Sequence, residues 1–155
     1  MKPTTERRLK KISLTIRQRK IKFTSRYFFR AIDFLEKKIP PSIKEINIVL
    51  THDKEITRLN KKFLGKNYPT DVLTFKIGKT VEIIVSVETA KRQAADQHHS
   101  IEDEILYLII HGMLHASGYN DDKPDSYGKM KMRQDKIFFE VSKCDDAERK
   151  KSGYC

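Results

Sequence analysis

The sequence predicts a single α+β domain, with a small mixed sheet of four strands packed by about five helices. Three observations predict it. Short β-branched segments alternate with helix-like ones as far as Gln97, and beyond that point the segments are helical only. No internal repeat and no Pro/Gly/Ser-rich linker divides the 155 residues, which suffice to bury a core without disulfides. The expected domain runs from 11 to 142, between a basic N-terminal tail (1–10) and a polar C-terminal tail (143–155).

Ile12-Ser13-Leu14-Thr15-Ile16 alternates apolar and polar residues, the period of a half-buried strand. Ser25 is placed to cap a helix through Tyr27, Phe28, Ala31, Ile32 and Leu35, which must end before Pro40-Pro41. A second strand is expected over Ile46–Leu50. The Thr51-His52-Asp53 cluster then opens a short helix through Ile56, Leu59 and Phe63, stopped by Gly65. Val72–Phe75 and Ile83–Val87 are strand candidates on either side of a turn at Gly78. Glu88–Gln97 is helical in composition. Ser100, followed by Asp103 and Glu104, caps the next helix, and the last begins near Pro124, with Asp122 as its expected cap.

The net charge of +11 is concentrated at one end. Residues 1–30 contain eleven Lys and Arg and one acid, Glu6, whereas the other 125 residues carry 21 basic and 20 acidic side chains. Such a field attracts a polyanion, and RNA or DNA is the natural partner. The longest apolar run, Ile105–Ile110, is far short of the roughly 20 residues that span a bilayer. No secretory signal is recognisable, and the two cysteines, Cys144 and Cys155, lie where a disulfide would secure little. A reducing cytoplasm is the expected compartment.

The chemistry is expected on the helix from Ile101 to Ser117. Residues advance about 100° each, so His111 and His115 lie one turn apart, about 40° from each other around the axis, within reach of one ion. Ile101, Ile105, Leu108, Ile109, Gly112 and Ala116 form the expected core face, and the histidines flank it. Gly118 can turn the chain back, making Asp121 the next side chain able to join them. The spacing H-x-x-x-H-x-x-G-x-x-D matches the metzincin pattern with aspartate as third ligand. Three protein ligands, His111, His115 and Asp121, leave the fourth position of one tetrahedral Zn2+ to water, the coordination of a catalytic site. Zinc proteases of this spacing carry a glutamate base after the first histidine, and here that residue is Gly112. Phosphodiester hydrolysis relies more on the metal itself, so the missing base and the basic segment both point to RNA. His98 and His99 have no ligand spacing and are expected to face solvent.

His111-Gly112-Met113-Leu114-His115-Ala116-Ser117-Gly118-Tyr119-Asn120-Asp121 resembles the signature H-G-x-L-H-x-x-G-Y-x-[HD] of the YbeY endoribonucleases. Asn60 with Phe63, the run Pro69–Phe75 and the run Ile84–Ala90 agree with the same family, in order, across residues 45 to 140. The resemblance implies a zinc-dependent, single-strand-specific endoribonuclease of ribosomal RNA maturation and ribosome quality control. It also implies a four-stranded sheet packed by helices, and links to the small ribosomal subunit and to the GTPase Era. There are three departures from the family pattern. Asp121 stands where many members have histidine, and its charge makes bound water less acidic. Leu64 replaces a common arginine, so the expected phosphate contacts pass to Lys61, Lys62 or Lys66. Val81-Glu82 replaces a Gly-Asp pair while keeping the acid. Two other readings compete: a non-catalytic RNA or ribosome assembly factor with a structural metal, and a zinc metalloprotease.

Overall fold

The computed structural model describes residues 5–8 and 11–151, with side chains described from 11 to 143. In chain order the elements are β1 (Thr5–Arg8), β2 (Ile12–Ile16), α1 (Ser25–Glu36), β3 (Glu45–Thr51) and α2 (Asp53–Leu64). They continue with β4 (Val72–Ile77), β5 (Thr80–Ser86), α3 (Val87–Asp96), α4 (Ile101–Ala116) and α5 (Pro124–Lys151). The sheet order is β1-β2-β3-β5-β4, with β2, β3 and β5 parallel and the outer strands β1 and β4 antiparallel to their neighbours. The α+β class, the mixed sheet and the four expected strands are all present. The fifth strand, β1, falls within the expected tail 1–10, because Thr5–Arg8 finds a ladder on the outer edge of β2. The charged composition of that stretch gives no alternating apolar signal, and an edge strand needs none.

The register explains why alternation in β2 and β3 reads so clearly. Ile12, Ile46 and Val81 stand in one row across the three central strands, as do Leu14, Ile48 and Ile83, and Ile16, Leu50 and Val85. All nine are buried and face α1, α4 and α5 in the main core. On the other face, Ser13, Asn47 and Glu82 form a polar row. Ser13 Oγ donates to Asn47 Oδ1 at 2.6 Å, and Asn47 Nδ2 donates to Glu82 Oε1 at 2.8 Å. The acid of Val81-Glu82 is therefore a ladder partner inside β5, and the turn is formed by Gly78, at φ 62°, with Lys79 between β4 and β5. A smaller core of Ile56, Leu73 and Ile84 lies under α2.

Most expected helix ends are where side-chain chemistry puts them, with two exceptions. His52 Nδ1 caps α2 by accepting from Glu55 N, and Gly65 ends that helix in the left-handed region. Ser25 is the first residue of α1 rather than its cap, and Thr24, in the cap position, makes no side-chain capping bond. The anchoring is tertiary instead: Thr24 N donates to Glu102, and Tyr27 Oη to Asp103, so acids of the first turn of α4 hold the start of α1. Asp122 does not cap α5. Tyr127 N bonds Lys123 O, and Ser126 Oγ accepts from Lys123 N. The last helix also continues past 142 to Lys151, where Ala147, Glu148, Arg149, Lys150 and Lys151 are good helix formers. The two cysteines lie outside the residues whose side chains are described.

Asp53, at the start of α2, joins three elements. Its carboxylate accepts from Ser86, Thr89 and Arg92. Burial works to raise its pKa, but these hydrogen bonds and the Arg92 charge hold it below the usual value. A depressed carboxylate contributes stability that is present above its unfolded pKa and lost as pH falls through the folded one. Denaturant titrations below about pH 4 are expected to show a steeper loss of stability for the parent than for Asp53→Asn.

Candidate metal centre

α4 is buried nearly all round, which is why it reads as the most hydrophobic helix. The expected face is packed, and Leu106, Ile110, Met113 and Leu114 are buried as well, because α1, α3 and α5 cover sides that a surface helix would leave to water. Ser100 Oγ accepts from Asp103 N at its start. At its end Tyr119 N bonds Leu114 O at 3.0 Å and Gly118 N bonds His115 O at 3.1 Å, the paired bonds of a Schellman ending, with Gly118 at φ 103°. That reversal brings Asp121 back over the last turn of the helix.

The three predicted ligand residues meet. His111 Nε2 and His115 Nε2 are 3.1 Å apart, and Asp121 Oδ2 lies 3.7 Å from the first and 3.6 Å from the second. Asp121, not Asp122, completes the group. Two imidazole lone pairs facing each other at this distance repel unless a cation or a shared proton lies between them. The separations bracket the roughly 3.3 Å expected between ligand atoms around tetrahedral zinc with bonds of about 2.0–2.1 Å. The histidines are partly sheltered and Asp121 is more open, so the group faces solvent on one side.

Sequence reasoning missed Gln134. This buried residue of α5 donates from Nε2 to Tyr107 O at 3.0 Å, which directs its Oε1 at His111 Nδ1, 3.2 Å away. A carbonyl can only accept, so the amide orientation follows; Oε1 must then accept from Nδ1–H, and Nε2 of His111 keeps its lone pair for an ion. The available signal was a polar residue interrupting the buried stripe of Met130, Ile137 and Val141. Gln134→Leu, similar in volume, is expected to weaken metal affinity by about 10- to 100-fold with the fold retained, as read by competition with a chromogenic chelator and by circular dichroism.

Other expected residues fall elsewhere. Lys61, Lys62 and Lys66 are exposed at the end of α2 and on the loop after it, and no described contact joins them to the three-residue group. The loop is held by Asn60 Nδ2, buried, donating to Tyr68 O at 3.0 Å. A cation beside the histidine helix is Lys76 of β4, whose Nζ lies 3.4 Å from Ala116 O, where the helix dipole favours positive charge. His98 is exposed, as expected. His99 is not simply solvated: its Nε2 pairs with Glu104, a carboxylate buried within α4 and thereby given a partner.

Gly112 packs against the sheet, not toward the histidines. A Cβ there would lie 2.8 Å from Thr74 Oγ1 and 2.9 Å from Ile83 Cγ2, closer than real side chains approach. The glutamate base of a zinc protease has no place in this helix.

A family model for Endoribonuclease YbeY matches residues 10–142. The chain belongs to the YbeY endoribonuclease family. It is similar to the YbeY endoribonuclease of Syntrophus aciditrophicus, 32% identical over 90% of this chain and 94% of that one. The YbeY endoribonuclease of Petrotoga mobilis is 40% identical over 64% of this chain and 72% of its own length. The solution structure of a Thermotoga maritima protein superposes with a TM-score of 0.63 at 28% identity, covering 89% of this chain and 92% of that one. The matched span takes in the His-His-Asp group together with the stretches Asn60–Phe63, Pro69–Phe75 and Ile84–Ala90. Among the described residues, no helix is long and apolar enough to cross a membrane.

Proposed function

We propose that this chain is a zinc-dependent endoribonuclease that cuts single-stranded RNA during maturation of small-subunit ribosomal RNA and in ribosome quality control. The observation that carries the reading is the convergence of His111, His115 and Asp121, whose ligand atoms all lie within 4.8 Å of one another, in a YbeY-family chain. Two nitrogens and one carboxylate oxygen suit zinc, and they leave a position for substrate or water. When bound, zinc would supply Lewis acidity toward a phosphoryl oxygen and toward water. The rest is the work of side chains. Gln134 holds the His111 ring in the ligating tautomer, Asp121 closes the group from the loop, and Lys76 with Lys61, Lys62 and Lys66 draws the RNA backbone in by charge. The small ribosomal subunit and the GTPase Era are the partners this reading implies, and the cytoplasm its compartment.

Metal-replete protein is expected to cut an unpaired oligoribonucleotide and to spare the same strand in duplex form. A chelator abolishes the cutting and added zinc restores it. Intact single strands after incubation with the fully metallated protein would overturn the reading. One observation favours a second reading, an assembly factor with a structural metal: Leu64, exposed at the loop, offers no charge to a phosphate. It predicts co-sedimentation with small subunits that survives loss of His111, with no RNA turned over.

A further inference from the structure

Beside the histidines lies a cavity that shares only His111 and Gln134 with the candidate metal group. It has a volume of ≈ 240 Å³, opens against His111, and is lined among others by Asp71, Gln93, Glu104, Tyr127 and Gln134. A second hollow of ≈ 440 Å³ shares Gln97, Tyr107, Tyr127 and Lys131 with it and is lined also by His99, Asp135 and Phe138.

The lining is wrong for a phosphate and right for a base. Asp71 brings a carboxylate that repels a polyanion and accepts hydrogen bonds from N–H donors, while Glu104 is buried and already paired with His99. Asp71 Oδ1 accepts from Val72 N at 2.7 Å and from the Thr70 hydroxyl at 3.4 Å, whereas among the described residues its Oδ2 is engaged only by Gln93 Nε2 at 3.3 Å. The Gln97 amide and the Tyr127 hydroxyl have no hydrogen-bond partner among the described residues. Tyr127 is 52% exposed, an aromatic face presented to solvent in the first turn of α5. Lys131 sits at the rim, paired with Asp135 at 3.1 Å.

We infer that this cavity seats one unpaired nucleobase of the RNA next to the phosphodiester to be cut. Tyr127 stacks on the face of the base, and Asp71, Gln93 and Gln97 meet its edge. The inference rests on the endoribonuclease reading and deepens it. A base must leave its stack and its pair to enter, so the cavity gives single-strand selectivity a physical origin. Carboxylate oxygens only accept, so the Asp71 side of the cavity favours a base edge that presents N–H donors.

The test uses the full chain, loaded with zinc, and short single-stranded RNAs in which one ribose at a time lacks its base. One abasic position beside the cut is expected to slow the parent about tenfold, the usual size of a stacking contribution. Tyr127→Ala is expected to slow cleavage of the intact strand by a similar factor, mainly through KM, and to show no further loss on the abasic strand. Tyr127→Phe, which keeps the ring, restores the parent's behaviour. A parent indifferent to every abasic position, or a Tyr127→Ala loss of equal size on both strands, would overturn the inference. If the parent cleaves neither strand, the endoribonuclease reading fails, and fluorescence anisotropy with the same strands then decides the cavity. Affinity that depends jointly on the base and on Tyr127 upholds it, and affinity that depends on neither overturns it.

Discussion

His115→Ala is expected to lose zinc and to cut single-stranded RNA at least about a hundredfold more slowly than the parent, because one of three protein ligands is gone. The fold should survive. His115 is about a third exposed at the end of α4, and its ring meets His111 and Asp121. A substitution at such a half-buried position outside the core shifts stability by about 1 kcal/mol. Metal content by elemental analysis, single-turnover cleavage and the thermal midpoint together separate loss of the ion from loss of the fold. Cleavage equal to that of the parent would identify a contaminating nuclease and remove His115 from the site.

The second large effect is one of stability, at a position where sequence spacing alone suggests a gain of chemistry. Gly112→Glu would recreate the pattern of a zinc protease, yet its Cβ would strike Thr74 and Ile83 and its carboxylate would be driven against the sheet. Overpacking costs about 1–3 kcal/mol, and a buried, unpaired polar group adds more. A total of about 3 kcal/mol lowers the thermal midpoint of a chain this size by roughly 6–12 °C. No proteolysis of casein is expected from the folded fraction. Gly112→Ala should cost less, since better helix propensity returns about 1 kcal/mol. A Gly112→Glu protein as stable as the parent would show that α4 can stand off from the sheet.

The core strands and the histidine helix were legible in the sequence for one reason. In each, a single period sets which residues share a face: two residues in β2 and β3, where rows such as Leu14, Ile48 and Ile83 face one core, and the helical turn in α4, which sets His111 and His115 on one side. Caps were less legible because capping is a local contest that tertiary contacts can settle. Ser25 lost the cap position when Glu102 and Asp103 of α4 took over the start of α1, and Asp122 lost it to the turn held by Ser126. β1 was hidden because an edge strand satisfies its backbone without burying a face. Gln134 was hidden because its role is an amide orientation, set by a carbonyl on another helix.

By itself, then, the sequence determined the α+β class, the four strands with a buried face, and the pairing of two histidines one turn apart, since all of these follow from short-range periodicity and backbone preference. The Gly118 turn already pointed to Asp121, whereas the tautomer of His111, the closeness of Gly112 to the sheet and the cavity beside Tyr127 were decided by tertiary structure alone. Each depends on a distance between elements far apart along the chain, and no local period encodes such a distance.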